Sequence, residues 1–481
     1  MKQANPRKVI LMEINEITWD LIDPLIAEGK LPTFAKLKRE GTWGSPLSVD
    51  LPPQLDPWIT WTTVYSGREQ AEHNVFFLQQ PHDTIKAKRI WEYLREKGVS
   101  VGIYGSLCSW PPVQMKGFHV PDTFSPDNQT YPPDLHSIQD LNLTYTRSIR
   151  LPKDTDTLGF KVKLARNLLR LGLTVSTIAA IVRQLAAERL NPDVRWKRVV
   201  LQPRANFDFF KKLYRKHRPL FATFHTNHVA HYQHTYWKAM QPNEFLPLET
   251  TEKERAIYGG AIEFGYEAAD RVLAEMIGLM DSNTVLVVAS SMGQKPFKTA
   301  LKEGKKIMQI RDLNKLLEIL QVADQAHAVA MMSDQFNIYA DSPELLASIR
   351  EQMQAAYVDK PGERAFYTES VGNAVTGTLI RADSISEDSR LVFPLTPSQP
   401  SVRYGDLVYM TGHVKSGCHD PKGMIVFYGA GIRPGKQLGN CNNLDIAPTI
   451  FNLLGEPVPA GINGQILDTG IAEQAEMAVA G

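Results

Sequence analysis

Residues Lys8 to Ile22 read KVILMEINEITWDLI. The apolar run from Val9 to Met12 stops abruptly at Glu13, Asn15 and Glu16, and a segment with helical apolar spacing follows. A strand that ends in polar residues at its C-terminal edge is where α/β proteins keep their chemistry. The same alternation continues along the chain. VSVGIYGS follows the helix-like IWEYLREKG, and PLFATFHT precedes another helix-like segment. TVLVVASS follows a long helical pattern, and GMIVFYGAG leads into LDIAPTIFNLLG. Short apolar strands separated by helices predict an α/β fold, with a mostly parallel central sheet covered on both faces.

The 481 residues are 43% hydrophobic and 22% charged, ordinary for a globular chain. A formal net charge of +1 points to neither nucleic acid nor an anionic membrane as a partner. Basic clusters such as KLYRKHRP, from Lys212, read as solvated helix ends. Cys108, Cys418 and Cys441 are far apart and form no CxxC pair, which argues against a disulfide framework or a structural zinc module. The N-terminal apolar run is too short for a signal peptide. LGLTVSTIAAIV, between Arg170 and Arg183, falls well short of the roughly 20 residues that cross a bilayer. The expectation is a cytoplasmic protein without a membrane span.

Two regions break the rhythm. Residues 125–215 are loop-rich and then strongly helical, and read as a helical cap inserted between core segments 1–124 and 216–470. Asp383 to Gly417 reads as a loop or hairpin over the site, and 471–481 as a flexible tail. Polar residues gather just after the strand-like runs, where a parallel sheet brings distant groups together. The densest cluster is HTNHVAHYQH, with His225, Asn227, His228, His231 and His234. On a helix, successive spacings of three rotate each histidine by about 60°, so at most two could serve one metal. His231 is the favoured ligand among them. Trp58, Trp61 and Tyr65 in PWITWTTVY approximate helical spacing and suit core packing, with Trp58 a candidate stacking surface for a substrate.

The order of these motifs resembles the alkaline phosphatase superfamily, in its type I phosphodiesterase/nucleotide pyrophosphatase-like branch. The resemblance spans Val9 to about Leu78 and Pro219 to about Leu467. TWDLIDPLI, GKLPTFAKLKREG, the pair Ser66-Gly67 with His73, and LDIAPTIFNLLGEPVPAGINGQIL follow the family pattern. At the metal positions the chain departs from it. The first-strand Gly-x-Asp-Gly is Glu13-Ile14-Asn15-Glu16, and Thr-Asp-x-x-x-His is Thr226-Asn227 with His231. The later Asp-His is Ser291-Met292, the nucleophile's place falls near Asp56 or Pro57, and the last metal histidine is His419.

The resemblance implies an alkaline-phosphatase-like three-layer sandwich and a phosphodiesterase/phosphatase-like hydrolase of a phosphorylated small molecule or glycan precursor. It implies a divalent metal of zinc type, one ion rather than two, held by Asn227, His231 and His419. Asp56, Thr60 and Glu13 are the catalytic candidates, and Asn15, Glu16, Trp58 and His228 the substrate-binding ones. Glu16 has a simpler reading as charge complement to the following helix N-terminus. The alternative is an inactive homologue that binds a phosphate-bearing or sugar ligand or a protein partner.

Overall fold

A computed structural model describes residues 7–147, 166–298, 306–331, 334–380, 385–398 and 400–471. The opening stretch forms strand β1 (Lys8–Ile14), buried from Val9 onward at the centre of an eight-stranded sheet. The remaining strands are β2 (Thr42–Gly44), β3 (Val101–Tyr104), β4 (Gly117–Val120), β5 (Phe221–Thr226), β6 (Thr284–Ser290), Met424–Gly429 and Lys436–Gln437. β1 runs parallel to both neighbours, pairing Met12 with Phe224 of β5 and with Val288 of β6. β3 and β4 extend the sheet in parallel beyond β5, whereas Met424–Gly429 lies antiparallel between β6 and β2. The expected mixed α/β class with a large, mostly parallel sheet is therefore what the chain forms.

The alternation along β1 divides the core in two. Ile10, Met12 and Ile14 pack on one face with helix α1 (Trp19–Ala27) and α2 (Pro32–Glu40). Val9 and Leu11 pack on the other with helix α3 (Pro57–Ser66) and with Ile446 to Leu454. Every residue of α3 is buried, so its aromatics are core residues whose polar tips reach the sheet edge. Thr18 caps α1 through its hydroxyl, which accepts from Asp20 N. The cap therefore belongs to Thr18, and Glu16 is free to turn inward.

Two boundaries differ from the sequence reading. Within 125–215, the helix Leu201–His217 is no cap element: Phe207, Phe209, Phe210 and Leu213 sit in the main core with Phe224 and Phe118. Residues 148–165 of that segment, and 472–481 of the tail, lie outside the described residues. Within 216–470, a separate core forms around Phe336, Ile338, Phe366, Leu391 and Phe393, beside an antiparallel sheet that includes Gln335–Tyr339 and Ala374–Leu379. The described part of Asp383 to Gly417 supplies a hairpin to that second core, pairing Arg390–Val392 with Ser401–Arg403. Continuous apolar runs are missing there because the strands are short and bury polar residues such as Asn337 and Thr376, a pattern easily mistaken for loop. No helix of the described residues is long and apolar enough to cross a membrane.

Candidate metal centre

Asn15 and Glu16 follow β1 directly, Asn227 follows β5, and Ser291 and Met292 follow β6. Because the three strands are parallel, these residues share the carboxyl edge of the sheet. Glu16 adopts φ 61, a left-handed conformation that costs a non-glycine residue roughly 1–2 kcal/mol. The turn directs its carboxylate into the interior, where the residue is 1% exposed.

Three donor groups converge there. His234 Nε2 lies 3.0 Å from Glu16 Oε2, and His419 Nε2 lies 3.7 Å from Oε1. All three ligand atoms fall within 4.8 Å of one another. His234 comes from the helix His228–Met240, and His419 from the strand Gly417–Asp420, which pairs with Gly293–Pro296. Both imidazoles are oriented from behind. His234 Nδ1–H donates to Gly417 O at 3.1 Å, and His419 Nδ1–H donates to Leu55 O at 2.7 Å. Carbonyls only accept, so each ring keeps its proton on Nδ1 and turns the Nε2 lone pair toward Glu16 when neutral. Gly417 is required for this close approach. A Cβ there would stand 2.2 Å from Gln294 Oε1 and 2.6 Å from Gln233 O.

Glu16 is further held by Asn15 Nδ2 at 2.9 Å and by Gln294 Nε2. Burial alone would raise its pKa, but His234, His419 and the Gln294 hydrogen bond outweigh that and hold it down at about 2. Burial pushes His419 the other way, to about 4, despite the Glu16 charge. Two imidazoles and one carboxylate form a donor set suited to a divalent transition metal, zinc included.

Asp56 begins α3 at its N-cap and lies 3.4 Å from His419 Nδ1. Burial, with Glu16 adding to it against the opposing charge of Lys415, pushes its carboxyl up to about 7. Asp56 and Trp58 line a cleft of about 60 Å³ with Phe76, Tyr367 and Glu369 from the second core's sheet. Phe77 also lines this cleft and a larger cavity of about 380 Å³ that includes Trp110, Phe124 and Tyr339. Trp58 itself is 4% exposed and packs with Ile59, Val75 and Leu78.

The other expected site residues are placed differently. His231 is exposed on its helix, against Tyr232, and is not in the convergent cluster. His228 is buried, accepting from Thr226 at Nδ1 and donating to the Gly265 carbonyl, and burial lowers its pKa to about 4. Asn227 Oδ1 accepts from Asn15 Nδ2 at 2.8 Å, and Asn15 Oδ1 accepts from Trp61 Nε1. Thr60 shares a 2.7 Å hydrogen bond with Ser291 in the interior. Met292 is fully buried. Glu13 points to the opposite side of β1, where it accepts from Tyr65 at 2.7 Å and Ser106 at 2.9 Å and pairs with His225. The Cys418 thiol faces the Lys295 and Pro296 carbonyls, and burial raises its pKa.

His234 and Gln294 are the residues that sequence reasoning passed over. His234 was visible as the last histidine of the cluster, but choosing between spacings three apart requires knowing how the helix is rotated. Gln294 lies in SSMGQKP, where only the pairing of Gly293–Pro296 with Gly417–Asp420 reveals that it faces Glu16. No family model matches the chain, and no curated protein matches it.

Proposed function

We propose that the chain is a single-ion hydrolase of phosphoric esters with an alkaline-phosphatase-like fold, acting on a phosphorylated small molecule or glycan precursor. One observation carries the reading: His234, His419 and Glu16 converge at the carboxyl edge of the sheet, with both imidazole protons anchored on backbone carbonyls. The order of the sequence motifs supports the family assignment.

These three side chains would hold the ion. When bound, a divalent cation supplies Lewis-acid polarisation of a phosphoryl oxygen and eases deprotonation of water. Asp56, with a pKa near 7, is matched to exchanging a proton at neutral pH beside this centre. Lys415 acts electrostatically on both Asp56 and His419, adding positive charge where a phosphate would lie. Trp58 and Tyr367 form the cleft walls on the substrate side.

A second ion does not fit. Asn15 and Asn227, at the places of aspartate ligands in the family pattern, satisfy each other by an amide hydrogen bond. Thr60 and Ser291 likewise satisfy each other. This observation favours a second reading, a protein that binds the ion and a phosphate-bearing or sugar ligand without turnover.

Elemental analysis of purified protein, paired with hydrolysis of a nitrophenyl phosphodiester and monoester, tests both readings. Bound zinc and chelator-sensitive turnover, lost in His234→Ala and slowed in Asp56→Asn, are expected. Metal retention without turnover would leave the binding reading standing. A folded protein that takes up no divalent metal would sink both.

A further inference from the structure

The helix Val175–Leu190 keeps apolar side chains on the surface as well as against the body of the protein. Its inward side carries polar anchors beside the half-buried Ile178 and Ile181: Thr177 donates to Asp208 at 2.6 Å, Gln184 to the Val194 carbonyl at 2.9 Å, and Glu188 pairs with Arg198. Its outward side is apolar. Val175 is 77% exposed, Val182 60%, Leu185 52% and Leu190 89%. Ala179 and Ala186 fill the intervals, so spacings of three and four make one continuous stripe. With Leu169, five of the eleven exposed large hydrophobics among the described residues fall within 169–190. A helix packed on a soluble body normally turns such a stripe toward the core.

Charge completes the pattern. Residues 166–204 hold eight Lys and Arg against two Asp and Glu, whereas the whole chain nets only +1. The bulk value therefore conceals a local excess of six positive charges. Arg183 and Arg189 are exposed on this helix, and Arg166 and Arg170 are exposed in the segment that precedes it. The element is also firmly seated. Trp196, in the 3-10 segment Pro192–Val200 that follows, packs against Tyr232, Tyr236 and Phe264.

We propose that this helix docks the protein onto an anionic lipid surface, lying in the interface plane with its apolar stripe among the acyl chains and its arginines on the headgroups. A sixteen-residue helix is too short to span a bilayer but long enough to lie on one. Neither component suffices alone, since stable peripheral binding takes an apolar and an electrostatic contribution together. Nucleic acid would use the arginines but leave the stripe without a role. A second copy would bring together two surfaces of the same positive sign.

The test is co-sedimentation of the full chain with vesicles of phosphatidylcholine alone and of phosphatidylcholine mixed with phosphatidylglycerol. Partitioning should favour the anionic vesicles by at least about tenfold and fall away toward ~1 M salt. Val182→Glu with Leu185→Glu should reduce it by about tenfold or more. Arg183→Glu with Arg189→Glu should cost roughly fivefold per residue. All four positions are exposed, and far-ultraviolet circular dichroism checks that the fold is kept. Equal partitioning to both vesicle types, or anionic binding untouched by the apolar substitutions, overturns the proposal. It is equally overturned by a dimer that Val182→Glu dissolves, or by nucleic-acid binding with no vesicle binding.

Discussion

Glu13 and Glu16 leave the same strand three residues apart, and both are buried, yet their surroundings differ in kind. Glu13 meets groups that donate to it: the Tyr65 and Ser106 hydroxyls and the His225 ring. Glu16 also accepts, from Asn15 and Gln294, but it meets in addition two imidazoles whose Nδ1 protons are committed elsewhere. The first arrangement is an anchor, in which a buried carboxylate is satisfied by the fold. The second is a cluster of three ligand atoms within 4.8 Å of one another, a geometry that could hold a cation. Burial alone does not separate structural from functional carboxylates. The direction in which the neighbours' protons point does.

The largest effect should come from removing the anchor. Glu13→Ala leaves Tyr65, Ser106 and His225 without their shared acceptor, and urea denaturation should show a loss of roughly 3–5 kcal/mol. A loss under about 1 kcal/mol would mean that the network contributes little, which is incompatible with the anchor role. Zinc binding should respond in the opposite way. Saturating zinc at a hundred times Kd should stabilise the protein by about 2.7 kcal/mol. Glu16→Gln and His234→Ala should abolish that gain, while His231→Ala should retain it. Calorimetric melting with and without zinc reads the difference, and loss of the gain in His231→Ala would return the site to the other face of the helix.

The comparison extends to the imidazoles of the same helix. His228 is held neutral by burial, with a folded-state pKa of about 4 against an ordinary 6.5. Between those values the unfolded chain binds the proton and the folded chain does not, so stability rises with pH and is lost as pH falls below 6.5. At pH 5 this one residue should cost about 2 kcal/mol relative to pH 7. His228→Gln should flatten the urea midpoint's dependence on pH by that amount, and an unchanged slope would show that His228 charges freely in the folded protein. The smallest effect concerns the amide pair. Asn227→Asp places a charge beside Asn15 and should cost about 1 kcal/mol without metal. If an aspartate at this edge can reach a metal, added zinc should recover that stability. Failure of zinc to do so would show that the edge no longer accepts a ligand at this position.

The sequence alone determined that β1 is a central buried strand and that chemistry-bearing residues collect at its C-terminal end. It did so because apolar runs broken by polar residues are a local signal, set by which side chains tolerate full burial. The placing of His419 and Asp56 near that edge came from the resemblance in motif order, and the two side chains do lie 3.4 Å apart. The second core was hidden because its antiparallel strands carry short and interrupted patterns. Only the tertiary structure decided which histidine of HTNHVAHYQH faces Glu16. The choice between His231 and His234 is a rotation of the helix about its axis, fixed by Trp237, Tyr232 and Ala230 finding the core. The same is true of the two glutamates. Their letters are identical, but the left-handed turn at Glu16 and the approach of Gly417 to the helix made one a strut and brought the other against two imidazoles. Those are relations between segments hundreds of residues apart, and local sequence carries no record of them.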